Sequence, residues 1–283
     1  MRLLQWNVQW CRGMDGVVDP ARIAREACRL ADPDVVCLQE VADNFPALEG
    51  NGGENQAERL ARAFRGYEAV YAWGVDVADG AGGRRRFGNL ILSRLPLLQV
   101  LRHALPWPAD AGTPSMPRVA LEAVVAAPFG PLRVTTTHLE YYSTVQRAAQ
   151  VERLRELHAE ACSRAQVSAS RAYDSGPFQP RPRPLSAVLC GDFNLRPDDP
   201  LHARLQADFG NGVPRLIDAW QHLHPGAAHP PTFRLYDESR GEAPYCCDFI
   251  LLSEDLAPRV VTLAIDARTQ ASDHQPVMLE LRC

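Results

Sequence analysis

Apolar and polar positions alternate in Arg2-Leu3-Leu4-Gln5-Trp6, so Leu3 to Val8 reads as an opening strand. Asp19-Pro20 then sets an N-cap and a first-turn proline, and Ile23, Ala27, Leu30 and Ala31 recur at helical spacing until Asp32-Pro33 stops the helix. Asp34 to Gln39 carries the unbroken run Val35-Val36-Cys37-Leu38, the pattern of a strand covered on both faces, and delivers Glu40 at its carboxyl end. Gly50 to Gly53 is a loop before a helix near Glu54 to Phe64. Strands are expected at Tyr67 to Val75, Gly88 to Ser93, Leu97 to Arg102, Arg118 to Val125 and Leu132 to Thr137, then at Leu185 to Cys190, Asp248 to Leu252, Val260 to Ile265 and Pro276 to Leu281. Thr144 to Ala161 places Val145, Ala148, Val151, Leu154 and Leu157 on one helical face. Asp79 to Arg86, with three glycines and three consecutive arginines, reads as a basic hairpin tip, and Ser163 to Pro184 as a surface insertion. Strands outnumber helices and many are hairpin neighbours, which favours a mixed-sheet α/β or α+β sandwich over an all-parallel fold.

Four polar clusters stand at the ends of these apolar runs: Trp6-Asn7, Gln39-Glu40, Gly191-Asp192-Phe193-Asn194 and Ser272-Asp273-His274. Asn7 lies at the start and His274 near the end, so a shared site makes residues 1–283 one domain. Convergence would give an oxygen-lined cation site beside an imidazole, a way to hydrolyse phosphate esters. Each cluster alone has a plainer reading. Glu40 also suits a salt bridge or helix cap, Asn7 a turn, Asp192 and Asn194 an Asx-turn, and His274 a structural hydrogen bond. Asp192 and Asn194, two apart on extended chain, would face one ligand; Asp273 and His274, adjacent, would diverge. Asp248, opening its own apolar run, is placed to bond the His274 ring and raise its pKa. His138 closes the Val134 to Thr137 strand, where it would donate a proton to a leaving oxygen or contact a phosphate. Tyr141 and Tyr142 follow, as substrate wall or as packing.

Composition narrows the partners. Thirty basic against 34 acidic residues give a net charge of −4, which argues against non-specific coating of nucleic acid, and every basic residue is arginine. Eight cysteines show no Cys-x-x-Cys pair, so zinc clusters are excluded and buried free thiols expected. No signal-peptide core or bilayer-length apolar run occurs, and a cytoplasmic monomer without membrane insertion is expected.

Taken in order, Trp6-Asn7, Leu38-Gln39-Glu40-Val41, Gly88-Asn89, Thr137-His138-Leu139, Gly191-Asp192-Phe193-Asn194, Asp248 and Ser272-Asp273-His274 resemble the endonuclease/exonuclease/phosphatase superfamily over residues 3–281. The resemblance implies a four-layer sandwich, two mixed sheets face to face with helices outside, and a phosphoesterase dependent on Mg²⁺ or Mn²⁺. It implies Glu40 as principal metal ligand with Asn7 and Asp273 near the cation. Asp192 would orient or deprotonate the attacking water, and Asn194 would hold the phosphate or that water. His274, backed by Asp248, would stabilise transition-state charge or serve with it as the base, and His138 would assist the leaving group. Asn89, Arg118 and Tyr141 fall to substrate binding, with a surface salt bridge the other reading of Arg118. Gln9 stands where abasic-site endonucleases carry aspartate. The segment from His138 to Arg147 looks more like the phosphodiesterases that free tyrosyl groups from DNA ends, or like sphingomyelinases and small phosphatases. The expected partner is a phosphoester, with nucleic acid among the candidates. The alternative is a binding or regulatory protein on the same fold, and the presence of every core group speaks against it.

Overall fold

The structure is a computed structural model and describes residues 1–283 except 168–175, 182, 238–240 and 242. Twelve strands form two six-stranded sheets. The first contains β1 (Arg2–Asn7), β2 (Val35–Asp43), β3 (Glu68–Ala78), β4 (Arg84–Ser93), β11 (Val260–Ile265) and β12 (Val277–Leu281). The second contains β5 (Leu97–Ala104), β6 (Val119–Ala127), β7 (Gly130–His138), β8 (Ala187–Asp192), β9 (Leu216–Asp218) and β10 (Asp248–Ser253). Their orders are β11-β12-β1-β2-β4-β3 and β5-β6-β7-β8-β10-β9. Each is mixed: β1 with β2 and β7 with β8 run parallel, and the other pairs antiparallel.

Alternation along the central strands builds the layers. Leu3, Val35, Cys37 and Ile91 point inward against Leu121, Val134, Val188 and Ile250 of the facing sheet. Their neighbours Leu4, Val36, Leu38 and Leu90 point outward, under Ile23 and Ala27 of α1 (Pro20–Ala31) and Leu60 of α2 (Gln56–Ala63). On the far side, Ala120, Leu189 and Leu251 meet Val151 and Leu154 of α3 (Thr144–Gln166) and Leu205 of α4 (Pro200–Gln206). A buried run without polar alternation is what strands covered on both faces require. The sandwich anticipated from the sequence is the observed fold.

Local signals held where their chemistry is local. Asp19 accepts from the Ala21 amide to cap α1, and Asp32 ends it in the left-handed conformation. Asp199 caps α4 in the same way, and Asp218 caps the short helix α5 (Ala219–Leu223). Three details differ. Arg84, Arg85 and Arg86 belong to β4 rather than a loop, because Asp76 and Asp43 pair with Arg84 and Arg86 across the ladder. Val145 is 55% exposed, outside the apolar face of its helix. That helix runs to Gln166, so the insertion begins later than the Ser163 boundary, and much of it lies outside the described residues.

Candidate active site

Register alone assembles one row of the site. Across the second sheet, Asp192 at the end of β8 lies opposite both His138, the last residue of β7, and Asp248, the first of β10. Gly191 makes this possible: its φ is 149°, and a Cβ there would sit 2.0 Å from the Thr137 carbonyl oxygen. In the first sheet Asn7 ends β1 beside Gln39. The strand carrying Glu40 does not end there, contrary to the sequence reading. Ladder pairs jump from Leu38–Leu90 to Val41–Gly88, so Gln39 and Glu40 together face Asn89, and Glu40 has φ 58°. The bulge re-aims the carboxylate out of the ladder toward Asn7.

The groups converge. Asn7 Nδ2 donates to Glu40 Oε1 at 3.0 Å and to Asp192 Oδ2 at 2.9 Å. His138 Nε2 lies 3.4 Å from Asp192 Oδ2, and His138 Nδ1 lies 3.9 Å from Glu40 Oε1. His274 Nδ1 donates to Asp248 Oδ2 at 2.8 Å, while its Nε2 is 3.7 Å from Asp192 Oδ2. Asp273 diverges from His274, as adjacency required, and accepts from Gln9 Nε2 at 2.8 Å. Asp192 Oδ1 accepts from the Asn194 amide at 3.0 Å, and Asn194 Nδ2 donates to the Leu139 carbonyl at 2.9 Å. The Asx-turn therefore forms, with Asn194 at φ 50°, in place of two side chains facing one ligand from extended chain.

A cavity of about 590 Å³ opens onto these groups and is lined by Glu40, His138, Asp192, Asn194, Asp273, His274, Arg118 and Tyr141 among others. Arg118 is buried, its Nε donating to Glu140 Oε2 at 3.2 Å, so its ion pair is internal rather than on the surface. Tyr141 and Tyr142 stack edge to face at 4.8 Å and both line the cavity. Asn89 does not border this cavity but an adjoining cleft that Glu40, Arg118 and His138 also line, and its amide bridges the sheets by donating to the Val119 carbonyl at 2.9 Å.

Burial and charge set the protonation states. Burial, followed by the Asp273 charge, pushes Glu40 up to about 7. Burial likewise raises Asp273 and Asp192. Burial opposes the charged form of His274, yet Asp248, Asp192 and Asp273 overcome it and push its pKa up to about 10. His138 goes the other way, held well below the usual imidazole value by burial and then by the charges of Arg118 and His274.

Several supporting residues escaped the sequence reading. Thr232 Oγ1 donates to Asp248 Oδ2 at 2.7 Å, and Gln5 Nε2 donates to Asp248 Oδ1 at 3.0 Å. Gln5 Nε2 also donates to Gln39 Oε1, and Gln39 Nε2 to Thr136 Oγ1, a polar chain through the inter-sheet core. The signal for Gln5 was available, an amide inside an otherwise apolar strand, as Gln39 was within its own cluster. Phe233 stacks on the His274 ring at 4.4 Å with a 29° tilt, and nothing in the sequence marks it. A second cluster lies elsewhere: His202 and His229 Nε2 both reach Asp218 Oδ2, at 2.9 and 3.0 Å.

Two carboxylate-bearing sheet ends thus meet over the His274 ring on a four-layer sandwich. The chain belongs to the Endonuclease/Exonuclease/phosphatase family, whose model matches residues 4–274 and whose members are phosphoesterase hydrolases. No curated protein matches the sequence. Among solved structures, an endonuclease/exonuclease/phosphatase from Beutenbergia cavernae DSM 12333 is 27% identical, with a TM-score of 0.67 over 100% of this chain and 71% of that one. A humanized D. rerio TDP2 carrying 14 mutations is 20% identical, with a TM-score of 0.64 over 100% and 99%. A mannosyl-6-phosphatase from Bacteroides thetaiotaomicron VPI-5482 is 16% identical, with a TM-score of 0.66 over 100% of both chains. The last two share the fold. Among the described residues no helix is long and apolar enough to cross a membrane, and all eight cysteines are free, six of them buried.

Proposed function

We propose that the protein is a divalent-cation-dependent hydrolase of phosphoesters, with Mg²⁺ or Mn²⁺ as the cation. The observation that carries this reading is an imbalance of charge: Glu40, Asp192 and Asp273 are crowded around one cavity with a single imidazolium, His274, to offset them. Burial raises all three carboxyls, and for Glu40 the Asp273 and Asp192 charges add to it, so their anionic forms call for a counter-charge. Gln9 adds a buried Oε1 that has no hydrogen-bond partner, beside Asp273. An all-oxygen donor set of this kind fits a hard dication. Glu40 and Asp273 would hold it, with Gln9 Oε1 within the same donor group. Asn7 supports a different role from the ligand expected of it, since its amide N–H groups fix Glu40 and Asp192. When bound, the cation neutralises phosphoryl charge and polarises the P–O bond.

The chain's own residues account for the rest. Asp192, raised toward neutrality, takes a proton from the attacking water as the new P–O bond forms and the ester P–O bond breaks. His274 keeps its proton and presents Nε2–H to a non-bridging oxygen as charge builds there. Asp248 holds the ring through Nδ1–H, and Thr232 and Gln5 fix Asp248 in turn. His138 donates a neutral N–H hydrogen bond on the same face. The departing oxygen collects its proton from solvent. Asn194 borders this region, where its free carbonyl edge suits a water or a phosphoryl group. The family description and the phosphatase among the structural neighbours support a phosphate ester as substrate.

The test is hydrolysis of bis(p-nitrophenyl) phosphate and p-nitrophenyl phosphate with Mg²⁺, with Mn²⁺ and with chelator. Activity should need the cation, and Glu40→Ala should lower kcat/KM by at least ~10²-fold. Turnover undiminished by chelator, or by that substitution, would overturn the reading.

A further inference from the structure

The cavity has a second character besides its cluster of anions. Opposite and around the acidic floor, Trp10, Phe45, Phe87, Tyr141, Tyr142 and Phe233 present ring surface to the same space. Phe45 and Phe87 meet edge to face at 6.2 Å, as Tyr141 and Tyr142 do at 4.8 Å, so the rings form fixed banks rather than isolated side chains. Most are only half-buried, and Tyr142 is 60% exposed. Apolar surface left facing a concavity of drug-like size is the usual mark of a small-ligand site. The volume of about 590 Å³ suits a single molecule or a chain end.

Cations point the same way. Reading along a polynucleotide needs several arginine or lysine contacts to phosphates. The chain has no lysine, and Arg118 is the sole arginine among the described residues lining the cavity; it is paired with Glu140. Arginines nearby are also engaged: Arg86 with Asp43 and Asp76, Arg12 with Glu49, and Arg147 with the carbonyls of Glu140 and Tyr141. Rings without free cations favour stacking on a planar group over gripping a phosphate backbone.

We infer that the preferred substrate is a small phosphoester whose esterified alcohol carries an aromatic ring, seated between these ring banks with its phosphate on the acidic floor. This rests on the phosphoesterase reading and adds its substrate class. The ring would be carbocyclic or a nucleobase, and the two sources share the stacking chemistry.

The experiment compares 2-phenylethyl phosphate with ethyl phosphate, each also as its methyl diester, because the two alcohols are similar leaving groups. The methyl phosphodiester of thymidine 5′-phosphate and a single-stranded 20-mer DNA complete the panel. The phenyl esters should exceed the ethyl esters in kcat/KM by at least ~10-fold, on the scale of pocket discrimination by apolar groups. Phe87→Ala, and the exposed Tyr142→Ala as the variant safest for folding, should move that ratio toward one. A thymidine ester matching or exceeding the phenyl ester would assign the ring to a nucleobase and uphold the inference. Equal rates for phenyl and ethyl esters in the wild type would overturn it, as would DNA outrunning every small ester with a steep salt dependence. Hydrolysis of no panel member with either cation would instead sink the phosphoesterase reading itself.

Discussion

Two aspartate–histidine clusters lie along one ladder and do opposite things. Asp248 opens β10 and holds His274, while Asp218, across from Leu251 of the same strand, holds His202 and His229. At the first, Asp248, Asp192 and Asp273 surround one imidazole, which is pushed up to about 10 and faces the cavity. At the second, one carboxylate serves two imidazoles. Burial alone would raise Asp218, but the two ring N–H groups pull it well below the usual carboxylate range. Phe249 packs on both rings, at centroid distances of 4.5 and 5.4 Å, and the same carboxylate caps α5. The pair chemistry is shared, and stoichiometry and access separate them: an excess of anions over an open cavity leaves unmet charge for a ligand, whereas balanced hydrogen bonds in a closed pocket serve to hold the fold.

The largest expected effect breaks the first cluster. His274→Ala should lower kcat/KM on a phosphodiester by roughly 10²- to 10⁴-fold, since it removes the imidazolium from the phosphoryl face. Circular dichroism should report a folded protein. Wild-type turnover in a folded variant would place the catalytic charge elsewhere.

Asp218→Ala tests the contrast from the other side. Both imidazoles and the α5 amides lose their acceptor in a closed pocket, which should cost about 3–4 kcal/mol by urea denaturation. Turnover of the folded fraction should stay within about two-fold, because none of Asp218, His202 and His229 lines the cavity. The pH dependence has a definite sign. A depressed carboxyl contributes stability that is fully present above its unfolded value near ~4 and is lost as pH falls through the folded value. The gap between wild type and variant should therefore narrow only below about pH 4. A gap that narrows at neutral pH would contradict the assignment.

The first cluster was legible in the sequence and the second was not, for a physical reason. Asn7, Glu40, Asp192 and Asp273 stand where apolar runs stop, and a polar or charged group at the edge of a buried strand needs a partner, so each announces itself. Their convergence became readable through the ordered family motifs. His202 and His229 sit in a capped helix and in a loop, contexts where a histidine is unremarkable. The Glu40 bulge was also hidden, because the run that specifies burial says nothing about which residue leaves the ladder. Phe45, Phe87 and Phe233 gain meaning only once three distant segments meet around one cavity.

A histidine outside both clusters sharpens the comparison, since its two ring nitrogens meet a guanidinium and a carbonyl in place of carboxylates. His158 accepts at Nδ1 from the Arg133 guanidinium at 3.1 Å and donates from Nε2 to the Pro214 carbonyl at 2.9 Å. Burial, then the Arg133 charge, lowers it to about 4. The unfolded chain takes up this proton first, so stability should fall as pH drops from about 6.5 toward 4, by roughly 2–3 kcal/mol in all. His158→Gln should lose that share of the acid sensitivity, read as a flatter plot of unfolding free energy against pH. An unchanged slope would mean that other groups carry it.

The smallest effect concerns Thr232, which belongs to the first cluster without touching the cavity. Its hydroxyl donates to the Asp248 oxygen that also accepts the hydrogen bond from His274 Nδ1–H, and it accepts from the Cys247 and Asp248 amides at 3.2 Å. Valine keeps the shape and removes every one of these bonds, which loosens Asp248 against the ring while Gln5 Nε2 still holds its Oδ1. The loss of one hydrogen bond to a charged group is worth about 1.5 kcal/mol, or roughly ten-fold. It should fall on kcat rather than KM, because Thr232 aligns the imidazolium and holds no substrate. A purely structural hydroxyl would lower the melting temperature and leave kcat alone. Thr232→Ser restores the donor without the methyl group, so it should recover most of the rate. A serine variant as slow as the valine one would show that packing under Phe233, not the bond to Asp248, is what the site requires.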